Sequence, residues 1–148
     1  MQRFMFKSKI HRATVTDSNL DYEGSLTVDP DLLEAADILP YEQIHVWDVT
    51  NGARLVTYAL VGTRGSGEVC VNGAGAHLIH PGHIVIIATY TSLNSEEAVG
   101  FEPTVVQVNE KNEIRELSPK TKTDPKDKKD DIHADLEITT IPPRELQK

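Results

Sequence analysis

The sequence has almost no cysteine and no long apolar run. Cys70 is the only cysteine among 148 residues, so neither an internal disulfide nor a thiolate metal cage can form. No apolar run approaches the roughly 20 residues needed to span a bilayer, and no signal-peptide core follows the basic start. The sequence therefore predicts a soluble, cytoplasmic protein that does not enter a membrane.

Basic residues are also scarce, and the formal net charge is -8. Residues 13–117 carry four basic against sixteen acidic groups, whereas residues 1–12 carry four basic groups and no acid. An acidic body argues against nonspecific binding of nucleic acid, which needs a basic surface to displace counterions from phosphates. A small anionic substrate would need a local basic pocket, for which Lys9, Arg12 and Arg54 are the candidates.

The basic, acid-free start, residues 1–16, superficially resembles an organelle presequence. A presequence should form an amphipathic helix. Here Lys7, Lys9 and His11 alternate with less polar neighbours and run into β-branched residues. The alternation favours a strand.

Short β-rich runs separated by turn residues dominate residues 1–117. They are Gln2–Lys9, Ala13–Leu20, Ser25–Asp29, Gln43–Thr50, Arg54–Val61, Ile84–Tyr90 and Thr104–Val108. Their spacing predicts an all-β fold with short helices, arranged as a small barrel or sandwich.

Turn and cap residues refine this prediction. Asn51-Gly52 predicts a two-residue primed turn between antiparallel strands. Asp29 and Pro30 predict the start of a helix that ends near Ile38. A second short helix is predicted over residues 75–79.

From Ser118 onward the composition changes to Lys, Asp, Pro and Thr, which predicts a polar, disordered tail over residues 118–148. Within it, Ile132, Ala134, Leu136 and Ile138 alternate with polar residues, as in a half-buried strand. Such a strand would dock on the body or on an unidentified partner.

Gly24-Ser25 is a dipeptide that can cleave its own backbone in a constrained turn. The Ser25 hydroxyl attacks the Gly24 carbonyl and replaces the amide by an ester, and elimination of the ester leaves dehydroalanine. Hydrolysis releases ammonia and leaves a pyruvoyl group, a ketone that forms Schiff bases with amines. Gly-Ser is also common in ordinary turns, so the dipeptide alone leaves both interpretations open.

Several short motifs accompany this dipeptide, in a fixed order. They are Lys7-Ser8-Lys9-Ile10-His11-Arg12, Tyr22-Glu23-Gly24-Ser25, Trp47-Asp48-Val49-Thr50-Asn51-Gly52 with Arg54, Thr57-Tyr58, Val71-Asn72-Gly73-Ala74-Gly75-Ala76-His77 and Ile84-Val85-Ile86-Ile87-Ala88. Together they closely resemble the pyruvoyl-dependent aspartate decarboxylases, which make β-alanine for pantothenate and coenzyme A biosynthesis. The resemblance covers about residues 1–117.

The resemblance implies a fold, an assembly and a reaction. The fold would be a six-stranded double-psi β-barrel, and the assembly a homotetramer with active sites between subunits. The enzyme would cleave itself and decarboxylate L-aspartate through a Schiff base with the pyruvoyl group made from Ser25. This covalent cofactor needs neither metal nor pyridoxal phosphate. Whether a helper protein assists the maturation stays open.

The resemblance also implies residue roles. Tyr58 would protonate the α-carbon after CO₂ leaves, Arg54 would clamp the retained carboxylate, and Lys9 would add positive potential. Thr57 would hydrogen-bond the Gly24 carbonyl during cleavage and later contact substrate. Further substrate contacts would come from Asn72, Gly73, Ala74 and Gly75, and the pocket walls would include His11, Tyr22, Trp47 and Ile86.

Strand periodicity conflicts with one of these roles. Strict alternation places Arg54 and Tyr58 on one face of their strand and Thr57 on the other. A β-bulge, or a site at a subunit edge, would reconcile them.

Other functions are compatible with parts of the sequence. The chain could be a non-enzymatic binding module in which Gly24-Ser25 is an ordinary turn, or a decarboxylase of another amino acid. His77, His80 and His83 do not predict a metal site, because Pro81-Gly82 interrupts the helix that would bring them together. The glycines after Asn72 lack the third glycine of a dinucleotide loop, and no hydrolase elbow surrounds Ser25.

Overall fold

The computed structural model describes residues 1–118, so the predicted tail lies outside the described residues except for Ser118. Strands dominate, and the predicted all-β class with short helices is confirmed. The strands are β1 (Gln2–Thr14), β2 (Asp17–Asn19), β3 (Ser25–Val28), β4 (Gln43–Asp48), β5 (Arg54–Val61), β6 (Val69–Asn72), β7 (Ile84–Asn94), β8 (Thr104–Val108) and β9 (Ile114–Ser118). The helices are α1 (Pro30–Ala35), α2 (Ser95–Ala98) and a 3₁₀ helix over Gly73–His77.

All nine strands belong to one mixed sheet in the order β2-β6-β3-β5-β4-β7-β1-β8-β9. Three pairs are parallel, namely β1 with β8, β2 with β6 and β3 with β5, and the others are antiparallel. The core consists of buried aliphatic residues contributed by several strands, among them the fully buried Ile10, Ile44 and Ile87. Within residues 1–118, no helix is long and apolar enough to cross a membrane.

Strand β1 is longer than predicted because a bulge lets it continue past Lys9. Its pairing with β7 shifts register between Ile10 and Ala13, where Arg12 has a φ of 62°. The extra residue bends β1, and the strand continues to pair with β7 after it. Strands β6 and β9 and helix α2 were not predicted, because their segments are short and lack a clear hydrophobic period.

The connection between β4 and β5 differs from the predicted two-residue turn. The strands are antiparallel neighbours, as predicted, but residues 49–53 separate them. Only Gly52 has a positive φ, of 79°, whereas a primed turn of the predicted type needs positive φ at Asn51 too. The Asp48 carboxylate accepts the backbone N–H groups of Thr50 (2.7 Å) and Asn51 (3.3 Å), and so stabilises a longer loop.

Asp29 is 3% exposed and caps α1, as predicted. Its carboxylate accepts backbone hydrogen bonds from Asp31 (2.9 Å), Gly65 (3.1 Å) and Gly67 (2.8 Å). Burial alone would raise the pKa of this carboxyl, but the three N–H groups and the charge of Arg64 lower it below its usual value of 3.8. The charged carboxylate therefore ties α1 to the loop between β5 and β6.

We expect Asp29→Ala to lower the free energy of unfolding by about 2 to 4 kcal/mol, because it removes a helix cap and leaves buried N–H groups unpaired. The pKa of Asp29 is lower in the folded than in the unfolded chain. Its stabilisation is therefore complete above the unfolded value and is lost as pH falls through the folded value. Urea midpoints measured from neutral pH downward should fall more steeply below about pH 4 for the wild type than for Asp29→Asn. Equal slopes would contradict this role.

Candidate active site

A cavity of about 470 Å³ opens beside the first residues of β3. Its walls come from the start of β3, the first half of β5, the end of β6 and the following 3₁₀ helix. The predicted site residues in its lining are Gly24, Ser25, Thr57, Tyr58, Asn72, Ala74 and Gly75. The remaining lining is apolar and consists of Leu26, Val46, Leu55, Val56, Val71 and Leu78.

The cavity exists because β5 changes partners along its length. On one side, β4 pairs with β5 from Arg54 to Tyr58. On the other side, β3 pairs with β5 only from Ala59 to Val61, beginning opposite Leu26. The β3-facing edge of residues 54–58 is therefore not paired with β3, and the cavity lies along that edge.

This geometry resolves the conflict between strand periodicity and the predicted roles. The parallel register, continued one and two residues backwards from Leu26 and Ala59, places Ser25 level with Tyr58 and Gly24 level with Thr57. The β4 ladder runs from Arg54 to Tyr58 without a register shift, so the first of the two alternatives, a β-bulge, does not apply here. Thr57 and Tyr58 line the same cavity because it lies along the edge of their strand and not over one face.

Ser25 is 2% exposed, and its hydroxyl has two partners. The hydroxyl donates to the carbonyl oxygen of Glu23 at 3.1 Å and accepts a hydrogen bond from the Asn72 amide nitrogen at 3.0 Å. Ser25 and Asn72 are directly opposite each other in the antiparallel pair of β3 and β6. Strand pairing thus places an amide donor on the candidate nucleophile.

Gly73 packs its bare backbone against Gly24. It has a φ of 67°, and a Cβ atom added to it would lie 2.7 Å from Gly24 Cα and 3.0 Å from the Tyr22 carbonyl oxygen. Only glycine suits both this conformation and this spacing. Gly24 itself is not in the left-handed region, and a Cβ there would meet nothing within 4 Å.

Thr57 lies in the cavity wall, but within residues 1–118 it makes no hydrogen bond to Gly24. For its predicted contact with the Gly24 carbonyl, either the Thr57 side chain or the turn that contains Gly24 would have to move. The role assigned to Thr57 stays a prediction.

Several predicted site residues lie outside the cavity lining. The Arg54 guanidinium carbon is 5.2 Å from the centroid of the Trp47 ring, and Trp47 pairs directly with Arg54 and with Ile86. These three residues form a transverse row on the outer face of the sheet. Lys9 pairs with Ala88 on the same sheet, three strands from β5.

His11 and Tyr22 are also outside this lining. His11 borders a second cavity of about 570 Å³ beside β8 and β9, and its buried Nδ1 atom has no hydrogen-bond partner among the described residues. Burial lowers the pKa of His11, and the charges of Lys9 and Arg12 lower it further. The Tyr22 side chain is half exposed, and the Tyr22 carbonyl oxygen approaches Gly73.

Two of the three spaced histidines contact each other edge to face, but the three do not form a metal-binding group within residues 1–118. His83 Nδ1 lies 2.6 Å from an Asp48 carboxylate oxygen, and the His80 and His83 rings are 5.3 Å apart. In the part of the chain that the structure describes, no three His, Cys, Asp or Glu side chains are grouped to hold a metal ion.

Thr27 and Cys70 both contact Asn72 near Ser25, and the sequence patterns predicted no role for either of them. The Asn72 amide also donates to the Thr27 hydroxyl at 2.9 Å, and the Cys70 thiol lies 3.3 Å from the Asn72 amide oxygen. Their two-residue spacing from Ser25 and Asn72 puts each pair on one strand face. That spacing became meaningful only once β6 was known to pair with β3.

The family profile and the similar proteins that match this chain all belong to one family. The profile of the aspartate decarboxylase family matches residues 1–115. A protein named aspartate 1-decarboxylase from Legionella pneumophila strain Lens is 55% identical over 117 residues, which are 79% of this chain and 88% of that protein. Proteins of the same name from strains Paris and Philadelphia 1 are 54% identical with the same coverage.

The close approach of Gly73 to Gly24 can be tested with two alanine variants. We expect Gly73→Ala to lower the free energy of unfolding by about 2 to 4 kcal/mol, from strain at positive φ and from the clash with Gly24. Gly52→Ala is the matched control, since it has a similar positive φ but nothing within 4 Å of the added atom. It should cost about 1 kcal/mol. If urea unfolding shows equal losses of unfolding free energy in the two variants, the contact of Gly73 with Gly24 does not contribute to stability.

Proposed function

Because the chain belongs to the aspartate decarboxylase family, we propose that it removes the α-carboxylate of L-aspartate with a pyruvoyl group made from its own Ser25. Family membership makes the chain a decarboxylase and disfavours the binding-module alternative. The observation that carries the finer proposal is the placement of Ser25. It is buried in the cavity wall, next to Gly24, with an amide donor on its hydroxyl.

The residues around Ser25 fit a pyruvoyl group. A ketone at position 25 would condense with the substrate amine and accept the electrons released when the α-carboxylate leaves. The Asn72 amide donates to Ser25 Oγ, the oxygen that would attack Gly24 and leave with its carboxylate, so this contact serves the cleavage step. The apolar lining from Leu26, Leu55 and Val71 would keep water away from the reacting atoms.

The proposed self-cleavage starts at the Ser25 hydroxyl. Its oxygen bonds to the Gly24 carbonyl carbon, and the carbon–nitrogen bond between the residues breaks, so that an ester and a free amine replace the amide. Loss of the Ser25 α-proton then expels the Gly24 carboxylate from Cβ. One water molecule hydrolyses the resulting enamine, in its imine form, and ammonia leaves.

Tyr58 is the proposed proton donor to the substrate α-carbon. Its phenol is a hydrogen-bond donor, and the register places its backbone level with Ser25. A donor beside the reacting carbon is what protonation after loss of CO₂ requires. Of the proposed substrate contacts, Asn72, Ala74 and Gly75 line the same cavity, and Gly73 lies against Gly24.

The retained carboxylate of aspartate needs a cation that the cavity lining of residues 1–118 does not contain. We assign this role to Arg54, with Lys9 adding positive potential, and propose that a homotetramer with sites between subunits completes the pocket. Exposed apolar side chains support association, since Phe4 is 85% and Val56 is 56% exposed. His11, Tyr22, Trp47 and Ile86 would join the pocket walls in this assembly.

Two further features of the proposed enzyme are its fold and the use of its product. We propose that six of the nine strands within residues 1–117 form a double-psi barrel, which the mixture of parallel and antiparallel pairs supports. The proposed product, β-alanine, would supply pantothenate and coenzyme A biosynthesis in the cytoplasm. Another amino acid is the alternative substrate, and competition among aspartate, glutamate and asparagine would distinguish the two.

Denaturing mass spectrometry tests the self-cleavage. We expect two fragments, one ending at Gly24 and one beginning at position 25, the latter lighter than a serine-terminated fragment by the mass of one ammonia. Ser25→Ala should remain a single 16.4 kDa chain without activity. A second dipeptide, Gly65-Ser66, is the internal control, because it lies in an exposed loop away from the cavity and should stay uncut. An intact wild-type chain with full activity would overturn the proposal.

A Tyr58→Phe variant separates cleavage from turnover. We expect cleavage to remain largely intact, because the phenol acts on the substrate, while decarboxylation slows by on the order of 10² or more. Tyr41→Phe is the control, since Tyr41 is 75% exposed and outside the cavity lining. The measurements are fragment yield by mass spectrometry and release of labelled CO₂ from aspartate. A Tyr58→Phe chain that stays uncut would show that the two roles are not separate.

A further inference from the structure

A buried polar chain lies behind Ser25, and its last member has no role in the proposed reaction. Cys70 on β6 is 8% exposed, and its Sγ is 3.3 Å from the amide oxygen of Asn72. Cys70 and Asn72 are two residues apart on one strand and share a face. The thiol therefore lies one hydrogen bond away from the group that contacts Ser25.

The thiol can act only as the donor in this contact. The Asn72 amide oxygen accepts hydrogen bonds and cannot donate them. Burial raises the pKa of Cys70, and the carboxylates of Asp17 and Glu68 raise it further, so the sulfur keeps its proton near neutral pH.

Two contacts decide which end of the Asn72 amide faces Ser25. One is this donor, and the other is the Ser25 hydroxyl, which gives its proton to the Glu23 carbonyl oxygen and therefore accepts from the amide. The Thr27 hydroxyl can donate or accept, so it suits either end of the amide. The thiol donates well to an oxygen but is a weak acceptor, so it favours the amide oxygen on its own side. The amide nitrogen is then directed at Ser25 Oγ (3.0 Å) and Thr27 Oγ1 (2.9 Å).

The amide orientation matters to a serine that attacks its own backbone. An N–H directed at Ser25 Oγ fixes the position of this oxygen and stabilises the negative charge that develops on it as its proton leaves. The opposite orientation would place the amide oxygen against the nucleophile. It would repel that charge.

We propose that Cys70 is a positioning residue for the self-cleavage, acting through Asn72 on the Ser25 hydroxyl. This inference rests on the proposed function, since it assumes cleavage between Gly24 and Ser25. It assigns to the only cysteine in the chain a hydrogen-bonding role and no redox chemistry.

Three substitutions at Cys70 separate hydrogen bonding from packing. Serine keeps a donor on a smaller side chain, alanine removes the donor and leaves a small void, and valine removes the donor but restores the volume. If Cys70 acts through its hydrogen bond, Cys70→Ser should cleave like the wild type and Cys70→Val like Cys70→Ala. If Cys70 acts only through packing, Cys70→Val should cleave like the wild type and Cys70→Ser like Cys70→Ala.

The experiment follows pulse-labelled chains in the expression host and measures the rate at which intact chains become two fragments. We expect Cys70→Ala and Cys70→Val to cleave about tenfold more slowly than the wild type, the loss expected from one hydrogen bond, and Cys70→Ser to cleave within about threefold of it. Urea midpoints of the same variants, each also carrying Ser25→Ala, report folding independently of cleavage.

The outcomes distinguish this inference from the proposed function. A wild-type chain that never cleaves overturns both. A cleaving wild type with Cys70→Val at the same rate overturns the role of Cys70 alone, as does a Cys70→Ser variant as slow as Cys70→Ala. Slowed cleavage that follows the urea midpoints and not the presence of a donor also overturns it.

Discussion

The pairing of β3 with β5 begins at Leu26 and Ala59, and the candidate site depends on this starting point. Were the ladder to begin two residues earlier, Gly24 and Ser25 would be hydrogen-bonded to Thr57 and Tyr58, and no space would remain for a ligand. On its other side, β5 pairs with β4 from Arg54 to Tyr58 without a register shift, so the open edge belongs to a strand that is paired on one side only. The cavity therefore lies where β3 would run if it continued to pair with β5, beside the edge of residues 54–58 that β3 leaves unpaired.

The end of β6 supplies the opposite wall through two adjacent residues with different functions. Asn72 donates to the Ser25 hydroxyl through its side chain, whereas Gly73 contacts Gly24 through its bare backbone. One residue thus holds the candidate nucleophile, and the next holds the carbonyl-bearing residue that it would attack. Both contacts are local consequences of the antiparallel register that sets Ser25 opposite Asn72.

Local sequence patterns predicted the elements better than their pairing. Asp29 and Pro30 specify the start of α1 by themselves, because capping is a local interaction. Asn51-Gly52 predicted antiparallel neighbours but the wrong loop, since the Asp48 carboxylate competes for the turn N–H groups. The motifs of the family predicted roles for Ser25, Tyr58 and Asn72, and the structure places all three in the lining of one cavity. Neither source revealed that β5 changes partners, because that depends on residues more than thirty positions away.

The cavity is largely apolar, whereas the proposed substrate carries two carboxylates, and this difference determines where the missing charges must come from. Arg54 shares a strand face with Tyr58 but lies over Trp47, and Lys9 is roughly 14 Å from β5 at about 4.8 Å per strand. The reacting carbon and the retained carboxylate belong to one small molecule, so a cation must lie within a few ångströms of Ser25. Under the proposed function, Arg54 therefore turns toward the cavity mouth, and a second copy of the chain adds Lys9 from its basic first strand. An acidic body with a basic first strand fits this arrangement, because that strand carries cations that the cavity lacks.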